Sequence, residues 1–91
     1  MAVIHGADAS RDYLLGASAL RIGSGSDNEL CIADRHASRI HCEIIARDGQ
    51  HWVRDLGSTN GTFVDDRRVL EAPVGPGSRL RIGSTELGIR S

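Results

Sequence analysis

The chain has 91 residues, 40% hydrophobic and 25% charged, enough for one modest core and too few for a second domain. Eleven basic against twelve acidic side chains leave a formal charge of −1, which provides no field for holding bulk nucleic acid or an anionic membrane, so an anion has to be bound locally. No apolar run approaches the roughly 20 residues that span a bilayer, and the start at Met1-Ala2-Val3-Ile4-His5 lacks the basic flank of a secretory leader, so the expectation is a cytoplasmic protein without membrane insertion.

Short apolar runs recur every eight to twelve residues between Gly, Asp, Asn, Ser and Pro, the grammar of an all-β sandwich or barrel. In chain order the predicted strands are Ala2 to His5, Asp12 to Leu15, Ala19 to Ile22 and Glu29 to Ile32. They are followed by His41 to Arg47, His51 to Asp55, Thr62 to Val64, Arg67 to Val69, Arg79 to Ile82 and Thr85 to Arg90. Alternation in the central pair sends Cys42, Ile44 and Ala46, then Trp52 and either Val53 or Leu56, toward the core. Asp48-Gly49-Gln50 predicts a tight hairpin, and Asp65-Asp66 a two-residue turn requiring positive φ, for which Asp is a second choice after Gly or Asn. Pro73-Val74-Gly75-Pro76-Gly77 is read as a rigid connection.

Cys31 and Cys42 fall inside strand-like runs and are expected as reduced, buried thiols. His5, His36, His41 and His51 show no paired metal-ligand spacing, so neither a metal nor another cofactor is expected.

The unusual composition lies in three polar loops, 23–28, 33–39 and 56–61, rich in Gly, Ser, Thr, Asn and Arg. Their backbone N–H groups, hydroxyls and guanidinium groups are the donors that grip an oxyanion such as phosphate, which favours a binding surface over an active site. Ser38 and His41 are the one pairing that a small hydrolase would need. A histidine at a loop-to-strand junction more often hydrogen-bonds backbone than activates a hydroxyl, which leaves the hydrolase a remote alternative. Gly57-Ser58-Thr59-Asn60-Gly61 has no following helix and no serine at its centre, which excludes a nucleophile elbow, and Gly23-Ser24-Gly25 is too short for a dinucleotide fingerprint.

Taken together, Ile22-Gly23, Asp27-Asn28-Glu29-Leu30, Ser38-Arg39-Ile40-His41, the run from Asp55 to Val64 and the closing Gly77-Ser78-Arg79-Leu80-Arg81-Ile82-Gly83 resemble the forkhead-associated (FHA) domain over nearly the whole chain. The resemblance implies one domain over residues 1–91, a sandwich of about eleven strands, and a non-enzymatic module that binds phosphothreonine in a partner protein marked by a Ser/Thr kinase. It also implies the setting of a bacterial signalling or transcription-regulatory protein, with no direct contact to nucleic acid.

Carried over residue by residue, the resemblance makes Ser38 a hydroxyl donor to phosphate and Arg39 a second phosphate ligand. Thr59 and Asn60 would face the peptide, with the Asn60 amide on its main chain. His41 would brace the loops, Gly23 and Gly61 would permit the turns, and His36 would lie where residues after the phosphothreonine are read. The departure is Ser24, which stands where the family usually carries a phosphate-clamping arginine. Replacing a guanidinium by a hydroxyl in that contact weakens binding about tenfold. Arg39 and the more mobile Arg35 are the candidates to compensate, since alternation turns Arg21 to the opposite side of its strand. The alternative reading is a degenerate scaffold that docks proteins independently of phosphate, as in secretion-system assembly.

Overall fold

The computed structural model describes residues 2–6 and 12–91, and among them there is no helix. The strands are β1 (Ala2–Gly6), β2 (Asp12–Leu15), β3 (Leu20–Gly23), β4 (Leu30–Cys31), β5 (Cys42–Arg47), β6 (Gln50–Asp55), β7 (Thr62–Val64), β8 (Arg67–Val69), β9 (Glu71–Val74), β10 (Arg79–Ile82) and β11 (Thr85–Arg90). They form a six-stranded sheet in the order β2-β1-β11-β10-β7-β8 and a five-stranded sheet in the order β4-β3-β5-β6-β9. This is the all-β sandwich of eleven strands that the sequence implied.

Alternation builds the core. Ile4, Val64, Leu80, Ile82, Leu87 and Ile89 face inward from the larger sheet, and Leu20, Ile22, Cys42, Ile44, Val53 and Val74 meet them from the smaller. Each fully buried aliphatic side chain in this layer contributes roughly 1.5–3 kcal/mol.

Three expectations are corrected by the register. Val53 lies opposite Ile44, and since only one parity of a strand can face inward, Trp52 lies opposite Ile45 on the outer face. There Trp52 is half-buried beneath the Arg47 guanidinium, 4.4 Å from its ring centroid. Ala46 has the inward parity but sits beside the Asp48-Gly49 turn and is exposed. Glu71–Val74, half of which was read as a connection, is a strand. It tolerates Pro73 because β9 is an edge of its sheet, with β6 on one side only.

The cysteines divide. Cys42 is fully buried, whereas Cys31 is exposed on the two-residue β4, the other edge of the five-stranded sheet. Both are free thiols. Both two-residue turns use positive φ throughout: Asp48 and Gly49 at 52° and 76°, Asp65 and Asp66 at 49° and 70°. Gln50 thereby joins β6, pairing with Arg47. These conformations match the right-handed twist of the flanking strands.

Candidate functional site

The three polar loops and the β10–β11 turn meet at one end of the sandwich, held by a network of hydrogen bonds. β3 and β4 run parallel, joined only by residues 24–29, so this loop is compact and lies along the segment that precedes β5. The N–H groups of Ser24 and Gly25 donate to the carbonyls of Ser38 and Arg39, each at 3.0 Å. This approach dictates Gly23. A Cβ built there would stand 2.8 Å from the Arg39 carbonyl carbon and closer still to its oxygen. The buried Asn28 staples the same two loops, its Nδ2 donating to Gly25 O at 2.7 Å and Arg39 O at 2.6 Å.

His41, fully buried, joins the second loop to the third. Its Nδ1 accepts from the Ser38 N–H at 3.1 Å, so the ring hydrogen resides on Nε2, which donates to Gly61 O at 2.8 Å. Both ring nitrogens are therefore spent on backbone groups. The Ser38 hydroxyl lies outside that pairing: its Oγ accepts from the Thr59 N–H at 3.1 Å. Ser38 and His41 do not form the nucleophile and base that a hydrolase requires.

Two aspartates hold the remaining turns. Asp55 Oδ2 accepts from the N–H groups of Gly57 and Ser58, both at 3.0 Å, and its Oδ1 accepts from the hydroxyls of Ser58 at 2.5 Å and Thr62 at 2.7 Å. Burial pushes the Asp55 carboxyl up, but these hydrogen bonds outweigh it and hold the group below its ordinary range. Asp34 accepts from the Thr85 hydroxyl and the Ser84 N–H, each at 2.7 Å, and from the His36 N–H at 2.8 Å. The Thr85 and His36 bonds are the leading causes that lower its pKa.

The residues singled out in the sequence thus gather at one end of the sandwich, with Gly23, His41 and Gly61 buried beneath the others. Arg39 and Thr59 are exposed, Ser38 is half-buried with its hydroxyl at the loop junction, and exposed Asn60 donates from Nδ2 to His36 O at 2.7 Å. Arg39 makes no ion pair among the described residues, and Arg21 points outward from β3. Ser24 is half-buried, and its hydroxyl donates to Ala37 O at 3.2 Å. Gly61 has φ of 90°, and the Arg68 side chain of β8 lies so close that a Cβ on Gly61 would stand 2.5 Å from its Nε. Sequence reasoning assigned no role to the side chains of Asn28, Asp34, Asp55, Ser58 and Arg68. For Asp34 and Asp55 a local signal existed, since Asp followed two or three residues on by a free N–H is the pattern of an Asx turn. For Arg68 none did, because only the β7–β8 pairing carries it to Gly61.

A two-sheet sandwich with loops cross-linked at one end and donors facing outward defines a loop-based recognition scaffold. The chain belongs to the FHA domain family, whose sequence profile matches residues 20–83. It is 37% identical, over 99% of its length, to the FHA domain-containing protein FhaB of Mycolicibacterium smegmatis, and it spans 59% of that relative. It is 32% identical over 83 residues to the transcriptional regulatory protein EmbR of Mycobacterium tuberculosis, 90% of this chain and 21% of that protein. Among solved structures, a domain from a study of phosphothreonine-dependent FHA domain interactions superposes with a TM-score of 0.91 at 33% identity, covering 99% of this chain and 95% of the other. Mycobacterium tuberculosis EmbR in complex with a low affinity phosphopeptide gives a TM-score of 0.88 at 30% identity, over 98% of this chain and 24% of that one.

Proposed function

We propose that residues 1–91 work as one phosphothreonine-reading FHA domain, a recognition module and not an enzyme, in a bacterial signalling or transcription-regulatory protein. The observation that carries this reading is the convergence of Ser38, Arg39, Thr59 and Asn60 on one loop surface, with Arg39 lacking any carboxylate partner among the described residues. A phosphate carrying nearly two negative charges takes charge-assisted hydrogen bonds from such a cation and from hydroxyl and N–H donors. Ser38 and Arg39 would meet the phosphate, with Ser24 a weakened contact in place of the clamping arginine, and Thr59 and Asn60 the peptide, while Gly23, His41 and Gly61 hold the loops in place. A Ser/Thr kinase supplies the mark. Phosphothreonine-dependent interaction of the related FHA domain, and the EmbR complex with a phosphopeptide, support the same reading. A cytoplasmic setting follows from it, and no described helix is long and apolar enough to cross a membrane.

One observation favours phosphate-independent docking instead. The Ser24 hydroxyl hydrogen is spent on the Ala37 carbonyl, so the position that usually bears the clamping arginine offers a phosphate little. Titrating matched phosphothreonine and unmodified peptides while following the amides of Ser24, Ser38 and Asn60 separates the two readings. Shifts confined to the phosphorylated peptide are expected, and equal shifts or none for both would refute phosphothreonine reading. Ser24→Arg should strengthen phosphopeptide binding about tenfold.

A further inference from the structure

The chain has two asparagines, and their surroundings differ. Asn28 is buried and followed by Glu29, whereas Asn60 is exposed and followed by Gly61. In an Asn-Gly pair the side-chain amide is open to attack by the next backbone nitrogen, because glycine puts no Cβ in the way. That nitrogen must first give up its proton to a base and then reach the Asn60 Cγ.

Both reacting groups of this pair are engaged elsewhere. The Gly61 N–H donates to Ser58 Oγ at 3.0 Å, and Asn60 Nδ2 donates to His36 O at 2.7 Å, which fixes the plane of the amide. Ser58 is itself pinned, since its N–H and its hydroxyl both donate to the Asp55 carboxylate. Gly61 is buried, with the Arg68 side chain packed over it and His41 Nε2 donating to its carbonyl at 2.8 Å. Ring closure between the two residues therefore requires the Ser58 and His36 bonds to be given up together.

We propose that Asn60-Gly61 is a latent self-modification site, kept silent by the Ser58 and His36 hydrogen bonds, whose conversion to a carboxylate disables the loop surface. The Gly61 nitrogen loses its proton to hydroxide and bonds to Asn60 Cγ, and the Cγ–Nδ2 bond breaks, releasing Nδ2 as ammonia with a proton taken from water. Water then opens the cyclic imide, at Cγ to leave aspartate or at the Asn60 backbone carbonyl to leave isoaspartate. The net change is water in and ammonia out, with no oxidant or reductant. The new carboxylate has no hydrogen to give the His36 carbonyl, so the bridge between the second and third loops is lost. Its charge also repels a phosphate held at Arg39. The chemistry rests on the loop geometry alone, and the loss of phosphopeptide affinity rests on the phosphothreonine reading.

The test incubates the whole chain at mildly alkaline pH beside a free peptide of residues 56–62 and follows Asn60 by peptide mass spectrometry. Native Asn60 should convert at least about tenfold more slowly than the peptide, because hydrogen bonds must break first. Ser58→Ala removes the acceptor of the Gly61 N–H and should raise the folded rate about five- to tenfold with an unchanged circular dichroism spectrum, whereas Ser58→Thr keeps the hydroxyl and should stay within about twofold of native. Equal rates in the native chain and the peptide, a comparison that needs no variant, overturn the proposal, as does a folded Ser58→Ala that converts no faster than native. The converted fraction separates by ion exchange on its added charge and should bind a phosphothreonine peptide at least about tenfold more weakly than the unconverted one. Equal binding by the two fractions overturns the disabling effect. If neither fraction binds, the reading of the loops fails, while the conversion rates still uphold or overturn the modification site.

Discussion

The imidazole of His41 ties its own segment to Gly61, twenty positions further along the chain, with Nε2 donating to the Gly61 carbonyl at 2.8 Å. Because the opposite ring nitrogen takes the Ser38 N–H, one buried side chain sets the spacing between the loop that carries Ser38 and Arg39 and the loop that carries Thr59 and Asn60. His41→Ala removes both bonds and opens a cavity, leaving a buried carbonyl and N–H without partners. A loss of about 2–4 kcal/mol in urea unfolding is expected, with broadened Ser38 and Gly61 amides. A change under about 0.5 kcal/mol, the ordinary range of a surface substitution, would show that the bridge is dispensable.

Gly23 and Gly16 make a controlled comparison. A methyl group at Gly23 collides with the Arg39 backbone, whereas one at Gly16 meets nothing within 4 Å, and neither residue has positive φ. Gly23→Ala should cost about 1–3 kcal/mol through overpacking and displace the Ser24 and Gly25 amides from their carbonyl partners. Gly16→Ala should be neutral or stabilise by about 0.4–1 kcal/mol, since it restricts only the unfolded chain. Equal unfolding midpoints for the two variants would contradict the close approach of the loops.

Part of the acid sensitivity of the domain should belong to Asp55. Against the rise caused by burial, its hydrogen bonds hold the folded pKa below the reference value of 3.8, so the unfolded chain takes up the proton first as pH falls. The stabilisation is complete above the unfolded value and disappears as pH drops through the folded one. Asp55→Asn should therefore lose about 1–2 kcal/mol at neutral pH, discounted for partial exposure, and show a flatter decline in urea midpoint from about pH 5 to pH 2. An unchanged acid slope would assign that sensitivity elsewhere.

The two thiols should separate cleanly under alkylation. Burial pushes the Cys42 thiol up to about 12, while Cys31 stands exposed on an edge strand. Iodoacetamide at pH 8 should add a single label to the native protein, at Cys31, and a second only in denaturant, as read by peptide mass spectrometry. Labelling of native Cys42 at a comparable rate would show that the core opens far more readily than its packing implies.

Much of this architecture was legible without coordinates because it is local. Positive-φ demands at Asp48-Gly49 and Asp65-Asp66 and the spacing of turn residues are properties of a few adjacent residues, and they located ten of the eleven strands to within about two residues of their observed ends. The exception, Glu71–Val74, contains a proline that is acceptable only at a sheet edge, and edge or centre is decided by which strands become neighbours.

By itself the amino-acid sequence determined the class of fold, the positions of the turns and which loops concentrate polar donors, since periodicity and residue type act over short distances along the chain. Only the tertiary structure decided that Val53 and not Trp52 faces the core, that Ser24 spends its hydroxyl on Ala37 and that Arg68 lies over Gly61. Each of these is a contact across strands or loops, fixed by register and by which face of a sheet is buried, and neither is written in any single segment.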